Sequence, residues 1–292
     1  MPELPEVETT VRDLKKKVLK RTFVDVWTDF EKMIKKPNSF EEFRKAIIGG
    51  KILDIRRRGK NVLFDLSKNK ILLIHQKLTG HLLFGYWILD DGYRRSKIRG
   101  PLEEKINTYI HLLFTLDNGQ MLALSDLRKF AKVELWDKSD LENSKEFKNL
   151  GPEPLAKSFT FEKFKETLAK SRKGKIKRVL MDQTIIAGIG NIYSDEILWE
   201  AKIHPFKEVS NLSEAKLKKI YMAIKKILPL AIELKGESFS DFRRLSGEKG
   251  YFDKARKVYR REGGKCSRCG TIIKRVKLGG RSAHFCPTCQ KI

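Results

Sequence analysis

The feature that most restricts how this chain can fold is the placement of its 4 cysteines, all near the C-terminus as Cys266-x2-Cys269-x16-Cys286-x2-Cys289. Each x2 pair turns two thiolates onto one ion, so the spacing describes a small ribbon folded on a tetrahedral metal, with Zn2+ the expected ion. Four thiolates leave no open coordination position, which makes that zinc structural. The plainer alternative is a pair of disulfides or free thiols, which a chain otherwise empty of cysteine does not favour. Everything before Cys266 is therefore held by burial of apolar surface, and 292 residues suffice for about two domains.

Charge narrows the partner. Lys and Arg number 62 against 37 Asp and Glu, a net charge of +25. Clustered cations gain affinity for phosphates by releasing counterions, so a polyanion is expected, although charge says nothing about fold. The longest apolar runs, such as Ile71 to Ile74, fall far below the roughly 18 residues that span a bilayer, and no signal-peptide pattern follows the N-terminus. A soluble, intracellular protein without membrane partners is expected.

Leu4, Val7, Val11, Leu14 and Val18 recur at helical spacing, with Pro5 suited to a first turn. Short β-type runs follow: Lys51 to Ile55, Asn61 to Leu66, Ile71 to His75, His81 to Ile88, Tyr109 to Leu116, Gln120 to Leu124 and Lys132 to Trp136. That spacing reads as a sandwich or barrel, and Asp117-Asn118-Gly119 is a hairpin turn because its residues tolerate positive φ. Gly151-Pro152-Glu153-Pro154 then breaks the pattern. Helices are expected around Phe161, Phe164 and Leu168, and over Ile176 to Met181, Ile192 to Ala201 and Leu212 to Glu233. Gly236 to Gly250 has little periodicity and reads as a mobile loop. Residues 236–292 carry 15 Lys and Arg against 5 acids. The division expected is a domain over 1–148, a linker over 149–155, a helical domain over 156–250 that includes the loop, and a ribbon over 251–292.

Three local features carry chemistry. Gly188-Ile189-Gly190 separates two helical stretches, and Asn191 can cap the second; a glycine turn feeding a helix N-terminus offers N–H donors to a phosphate. An ordinary helix–turn–helix corner would look the same. Arg281 stands beside Gly279, Gly280 and Ser282 in the ribbon, either as a solvated turn residue or as a phosphate contact at a finger tip. At the chain start, removal of Met1 before the small Pro2 leaves a secondary amine. An α-amino group with a pKa of about 7.7–8.0 is substantially neutral near pH 7.4, whereas lysine at about 10.4 is not. Its condensation with a sugar aldehyde carbon gives an iminium that is cationic without protonation, an electron sink for elimination.

Pro2-Glu3-Leu4-Pro5-Glu6-Val7-Glu8, Arg58-Gly59-Lys60, the His75 to Leu82 segment, Asp126-x-Arg128-x-Phe130, Gly190-Asn191-Ile192-Tyr193 and Arg281-x-x-His284-Phe285-Cys286-Pro287-x-Cys289-Gln290 together resemble the bacterial formamidopyrimidine-DNA glycosylases. The likeness runs from the first residues to the last. It implies an α+β multidomain chain: an N-terminal β-sandwich with flanking helices, a helix-two-turn-helix domain and a zinc ribbon, with damaged double-stranded DNA held in the cleft between. It implies further that the protein is a cytoplasmic, nucleoid-associated bacterial monomer. By position it makes Pro2 the Schiff-base nucleophile on deoxyribose C1′ and Glu3 the acid/base for sugar-ring opening. Lys60 would contact phosphates beside the lesion and aid β-elimination, and Arg281 would serve phosphate binding and δ-elimination. Leu78, Arg128 and Phe130 take the positions that fill the hole left by the flipped base, with Arg128 also reading the orphaned partner. His75, Tyr109 and Asn191 are further DNA contacts.

Taken singly, Lys60 reads as a solvated hairpin charge, Glu3 as a first-turn acid favoured by the helix dipole, and Leu78 and Phe130 as core. Two positions depart from the family pattern. Leu78, preceded by Gln76-Lys77, stands where methionine is usual, and Tyr109-Ile110-His111 stands where a His-x-His pair is frequent. Gln76 and Leu78 are closer to the related endonuclease VIII branch, which acts on oxidised pyrimidines. Three readings follow: a bifunctional glycosylase/lyase on oxidised purines, the same chemistry on oxidised pyrimidines, or a non-catalytic DNA-binding zinc protein. The Leu4-Pro5-Glu6 opening and Arg128-x-Phe130 favour the first.

Overall fold

The computed structural model describes residues 1–90, 93–238 and 241–292. The chain divides into two units, Met1–Lys148 with Leu234–Asp253, and Asn149–Glu233 with Lys254–Ile292. Among the described residues no helix is long and apolar enough to cross a membrane.

The first unit starts with helix α1 (Leu4–Val18), whose Leu4, Val7, Val11, Leu14 and Val18 are all buried, as the helical spacing requires. Pro5 lies in the first turn, where its missing N–H leaves no partner unmet. Among the described residues eleven strands follow: β1 (Phe23–Thr28), β2 (Ile34–Lys36), β3 (Ile52–Arg58), β4 (Asn61–Leu66), β5 (Lys70–His75), β6 (His81–Gly85), β7 (Trp87–Asp90), β8 (Tyr93–Ser96), β9 (Ile110–Leu116), β10 (Met121–Ser125) and β11 (Lys132–Asp137). They make a four-stranded sheet ordered β1-β9-β10-β6, a five-stranded sheet ordered β2-β11-β5-β4-β3, and a separate β7-β8 hairpin. Helix α2 (Phe40–Ile47), capped by Ser39, lies between β2 and β3, and α3 (Lys138–Asn143) and α4 (Lys145–Lys148) end the stretch.

Alternate residues explain the sandwich. Val62, Phe64 and Leu66 of β4, Leu72 and Ile74 of β5, Leu112, Phe114 and Leu116 of β9 and Leu122 and Leu124 of β10 meet in one core, which also takes the apolar face of α1. The intervening residues are covered too. Leu63, Ile71 and Leu73 pack with Leu141 of α3, while Leu83, Leu113 and Ala123 pack with Trp87 and Leu102. Burial on both faces is why Ile71 to Ile74 is an unbroken apolar run.

The structure departs from the sequence reading in three places here. The single strand expected over His81 to Ile88 is two, with Tyr86 between β6 and β7. Strands β1, β2 and β8 and helices α2 to α4 were not legible: β1 buries only Phe23 and Val26 fully, β2 spans 3 residues, and the three helices span 8, 6 and 4, too short for a periodic signal. Residues 234–250, read as the tail of the helical domain with a mobile loop, and residues 251–253, read as the start of the ribbon, group with the sandwich. Leu245 joins the sandwich core and its carbonyl accepts from the Phe84 N–H at 2.9 Å, while the Asn107 side chain donates to the Gly247 carbonyl at 3.2 Å. The segment is held by backbone hydrogen bonds and isolated apolar anchors, which leave no pattern in the sequence. Phe239 and Ser240 of that expected loop lie outside the described residues.

In the second unit, α5 (Phe161–Ala169) is capped by Thr160 and followed by α6 (Ile176–Met181), α7 (Asn191–Ala201) and α8 (Glu214–Glu233), then by a hairpin of β12 (Lys274–Leu278) and β13 (Arg281–Phe285). Helix α7 is buried on nearly every side, so its acids need partners inside the protein. Asp195 takes the Lys177 ammonium at 2.6 Å and the His284 N–H at 3.0 Å, and Lys177 also donates to the Ser282 carbonyl at 2.7 Å. Glu196 accepts the backbone N–H groups of Lys257, Val258 and Tyr259 at 2.8–2.9 Å, against burial that pushes its carboxyl above the usual carboxylate range. These bonds seat the ribbon on α6 and α7.

Glu6 does comparable work in the first unit. Its carboxylate is buried, one oxygen accepting the Glu3 N–H at 2.7 Å and the other the Glu237 N–H at 2.8 Å. Gly236 runs beside it at φ +81°, where a Cβ would come within 2.9 Å of Glu6 Oε1. Replacing the carboxylate by an amide points an NH2 at a backbone N–H. Glu6→Gln is expected to lose about 2 kcal/mol in urea unfolding, and a loss below about 0.5 kcal/mol would show that neither bond matters.

Candidate active site

The first unit gathers eight of the residues singled out from sequence. Pro2 and Glu3 are buried at the start of α1, Glu3 being only 2% exposed. Burial lowers the pKa of the chain-terminal ammonium, which Glu3, Glu6 and Asp241 oppose and Lys60 reinforces. Lys60 is buried on the two-residue turn between β3 and β4, which Gly59 makes possible at φ +58°. Next to it in sequence, Asn61 pairs across the sheet with His75. The His75 imidazole is pushed down to about 3 by burial and by the lysines at 77, 60 and 132, and its Nδ1 accepts the Lys77 N–H at 2.9 Å. At neutral pH it is an uncharged ring whose other nitrogen carries the proton. It offers one N–H and no positive charge.

Beyond His75, two loops are tied at their bases by one buried carboxylate. The Asp126 side chain accepts the Thr79 hydroxyl, the Arg128 N–H at 3.3 Å and the Ala131 N–H at 2.7 Å, and the Arg128 N–H also reaches the Thr79 hydroxyl at 3.1 Å. Leu78 rides on the first loop, half-exposed. Arg128 and Phe130 ride on the second, with the guanidinium 4.7 Å from the ring centre and Phe130 50% exposed. Phe130 is therefore not core. Tyr109 is half-buried, and its carbonyl accepts the Asp126 N–H at 2.8 Å, which sets it beside the same turn. His111 pairs instead with Asp29 at 2.8 Å. Asp126, Thr79 and Glu6 were missed as organisers of the site. Their only sequence signal is membership of the quoted motifs, because their work is done through contacts distant in sequence.

The second unit holds the remaining residues. Asn191 is the first helical residue of α7 and does not cap it: Gly190 is the N-cap residue, with no side-chain cap bond, and Asn191 Oδ1 is buried without a hydrogen-bond partner. The expected Asn191 cap is thereby corrected, since the cap position falls one residue earlier, on a glycine whose extended backbone (φ −135°) starts the turn. Arg281 is exposed at the tip of the β12-β13 hairpin, after Gly279 and Gly280 at φ +55° and +74°. Positive φ at both central residues is what a two-residue hairpin turn of this hand requires.

The cysteines are free thiols, with all four Sγ atoms within 4.8 Å of one another and Cys269 at 3.4 Å from both Cys286 and Cys289. A tetrahedron with Zn–S bonds of about 2.3 Å has edges of about 3.8 Å, so the donor set fits one zinc ion. Hydrogen bonding with Thr271 pulls the Cys269 thiol down to about 6, while burial and the neighbouring thiols push Cys289 up to about 12. Four thiolates this close need a divalent cation to ionise together. The Trp199 N–H donates to Cys266 Sγ at 3.5 Å, so α7 also supports the cluster. The chain carries one structural zinc site at these four residues. Cys286→Ala is expected to lose zinc, measured by metal analysis, while far-ultraviolet dichroism keeps the strand signal of the first unit; retained stoichiometric metal would overturn the assignment.

Family models for the formamidopyrimidine-DNA glycosylase N-terminal domain and H2TH domain match residues 1–133 and 150–243, and a zinc finger found in FPG and IleRS matches residues 263–292. A curated formamidopyrimidine-DNA glycosylase of Streptococcus mutans is 40% identical over 291 residues, covering all of both chains. Among solved structures, the Lactococcus lactis Fpg in complex with abasic-site-containing DNA superposes at TM-score 0.86 with 36% identity, over 99% of this chain and 100% of that one. The same protein with a Fapy-dG-containing DNA gives TM-score 0.85 and 35% identity over the same shares. With its fold, its zinc ribbon and its whole length matched, this chain belongs to the formamidopyrimidine-DNA glycosylase family.

Proposed function

We propose that the chain is a base-excision-repair glycosylase with abasic-site lyase activity, removing oxidised purines such as formamidopyrimidines and 8-oxoguanine from double-stranded DNA. The observation that carries this reading is the placement of Pro2 and Glu3, both buried at the start of α1, with the buried Lys60 near enough to act on the chain terminus. Excision of Met1 leaves the secondary amine of Pro2 there. Its lone pair bonds to C1′ as the bond from C1′ to the lesion breaks, and the proton the amine sheds goes to the departing base. Glu3 then delivers a proton to the ring oxygen as the sugar opens, leaving an iminium cation. That cation draws the electrons of a C2′–H bond, the proton departs, and the 3′-phosphate leaves by β-elimination, with Lys60 stabilising phosphate charge. Arg281 assists loss of the 5′-phosphate in the δ step.

Leu78, Arg128 and Phe130 fill the space vacated by the extruded base, a role supported by a half-exposed phenylalanine on a loop anchored at Asp126. His75, through its one N–H, Tyr109 and Asn191 contact the backbone in this reading. The L. lactis complexes hold abasic and Fapy-dG DNA, and the same substrate classes are assigned to this chain. The working division is a catalytic domain over 1–148, a linker, a helix-two-turn-helix domain and a ribbon from 251. The net charge of +25 suits a monomer working on the bacterial nucleoid.

Borohydride is expected to trap a covalent protein–DNA adduct on duplex carrying 8-oxoguanine opposite cytosine, more weakly with Pro2→Gly and not at all with a residue retained before Pro2. Trapping that survives a blocked N-terminus moves the nucleophile to a lysine, and faster excision of a pyrimidine glycol favours the pyrimidine branch. Arg128→Ala is expected to cost more in excision than in binding of undamaged duplex. It should also flatten the preference among the four bases opposite 8-oxoguanine by about 1–3 kcal/mol. An unchanged opposite-base profile refutes base readout, and equal loss on damaged and undamaged duplex indicates a phosphate contact.

A further inference from the structure

Helix α8 buries Ile220, Ile224, Ile227 and Leu228, yet on another face Met222 is 58% exposed. With Ala215 and Ala223 of α8 and Ala201 at the end of α7, Met222 floors a groove of about 610 Å3 within the second unit. Lys218, Lys219 and Lys226 of α8 and Lys202 just after α7 rim it. Lys226 is paired with Glu200 at 2.5 Å, whereas Lys202, Lys218 and Lys219 pair with no carboxylate among the described residues.

We propose that this groove docks an acidic amphipathic helix of a partner protein. Alanines at three floor positions let a helix backbone approach closely, and the unbranched thioether of Met222 adapts to whichever apolar side chain enters. The lysine stems extend the apolar walls while their ammonium groups stand at the edge, where carboxylates flanking an apolar stripe would meet them. Ala215, Lys218, Lys219, Met222 and Lys226 fall on successive turns of α8, so the complementary pattern is itself helical. A nucleic-acid backbone would use the lysines and leave the floor exposed, so the apolar floor selects a peptide. The groove uses none of the residues assigned to excision.

The test is fluorescence anisotropy on the full zinc-loaded chain with a synthetic helical peptide of about 14 residues, four turns, carrying a leucine stripe flanked by glutamates. Binding is expected to weaken about tenfold with Met222→Glu and with the Lys218→Glu, Lys219→Glu double variant. It should fall as salt rises, while melting temperature and 8-oxoguanine excision stay at wild-type values. No binding overturns the proposal, as does equal affinity for a scrambled peptide of the same composition or for Met222→Glu. Loss of undamaged-duplex affinity in the double variant without loss of peptide binding assigns the face to nucleic acid instead.

Discussion

A single buried carboxylate organises the start of this chain. Glu6 is closed off from water, and its two carboxyl oxygens each receive a backbone N–H, from Glu3 on one side and Glu237 on the other. The first bond sets the turn that leads into α1 and so aims the terminal amine; the second brings in a segment some 230 residues later. Because Gly236 has no Cβ, the backbone can run against the acid.

The same device recurs. Asp126 joins the Leu78 loop to the loop of Arg128 and Phe130, and Asp195 and Glu196 on α7 hold the ribbon that carries Arg281. In each case a buried acid gathers donors from segments far apart in sequence, while Leu78, Arg128, Phe130 and Arg281 stand exposed or half-exposed on the elements so held. Rigid acids beneath and accessible side chains above are what a site needs when a flipped nucleotide must meet groups already in position. His75 differs, since the lysines around it and its own burial keep it neutral, and it can offer a hydrogen bond but no charge.

Legibility followed the range of the interaction. The α1 stripe, the β-type runs at β4, β9 and β10, the Asp117-Asn118-Gly119 turn and the cysteine spacing are local patterns, and the structure keeps each. The short elements β2, α3 and α4 left no signal because their place is decided by what they cover, as Leu141 covers Leu63 and Leu73. Asn191 shows the converse: its type suited a cap, but the extended geometry fell to Gly190, and propensity could not separate adjacent residues.

By itself, the sequence determined the kinds of element, the metal-binding ribbon, a polyanionic partner and, through motifs spread along the whole chain, the family. Only the tertiary structure decided that residues 234–253 return to the sandwich, that Glu6 and Asp126 are the anchors beneath the site, that Phe130 is exposed and that His75 is neutral. The physical reason is common to all of these. Periodicity and spacing record which face of an element meets apolar surroundings, whereas the pairing of a buried polar group depends on which distant backbone arrives beside it, and that is known only when the chain has closed upon itself.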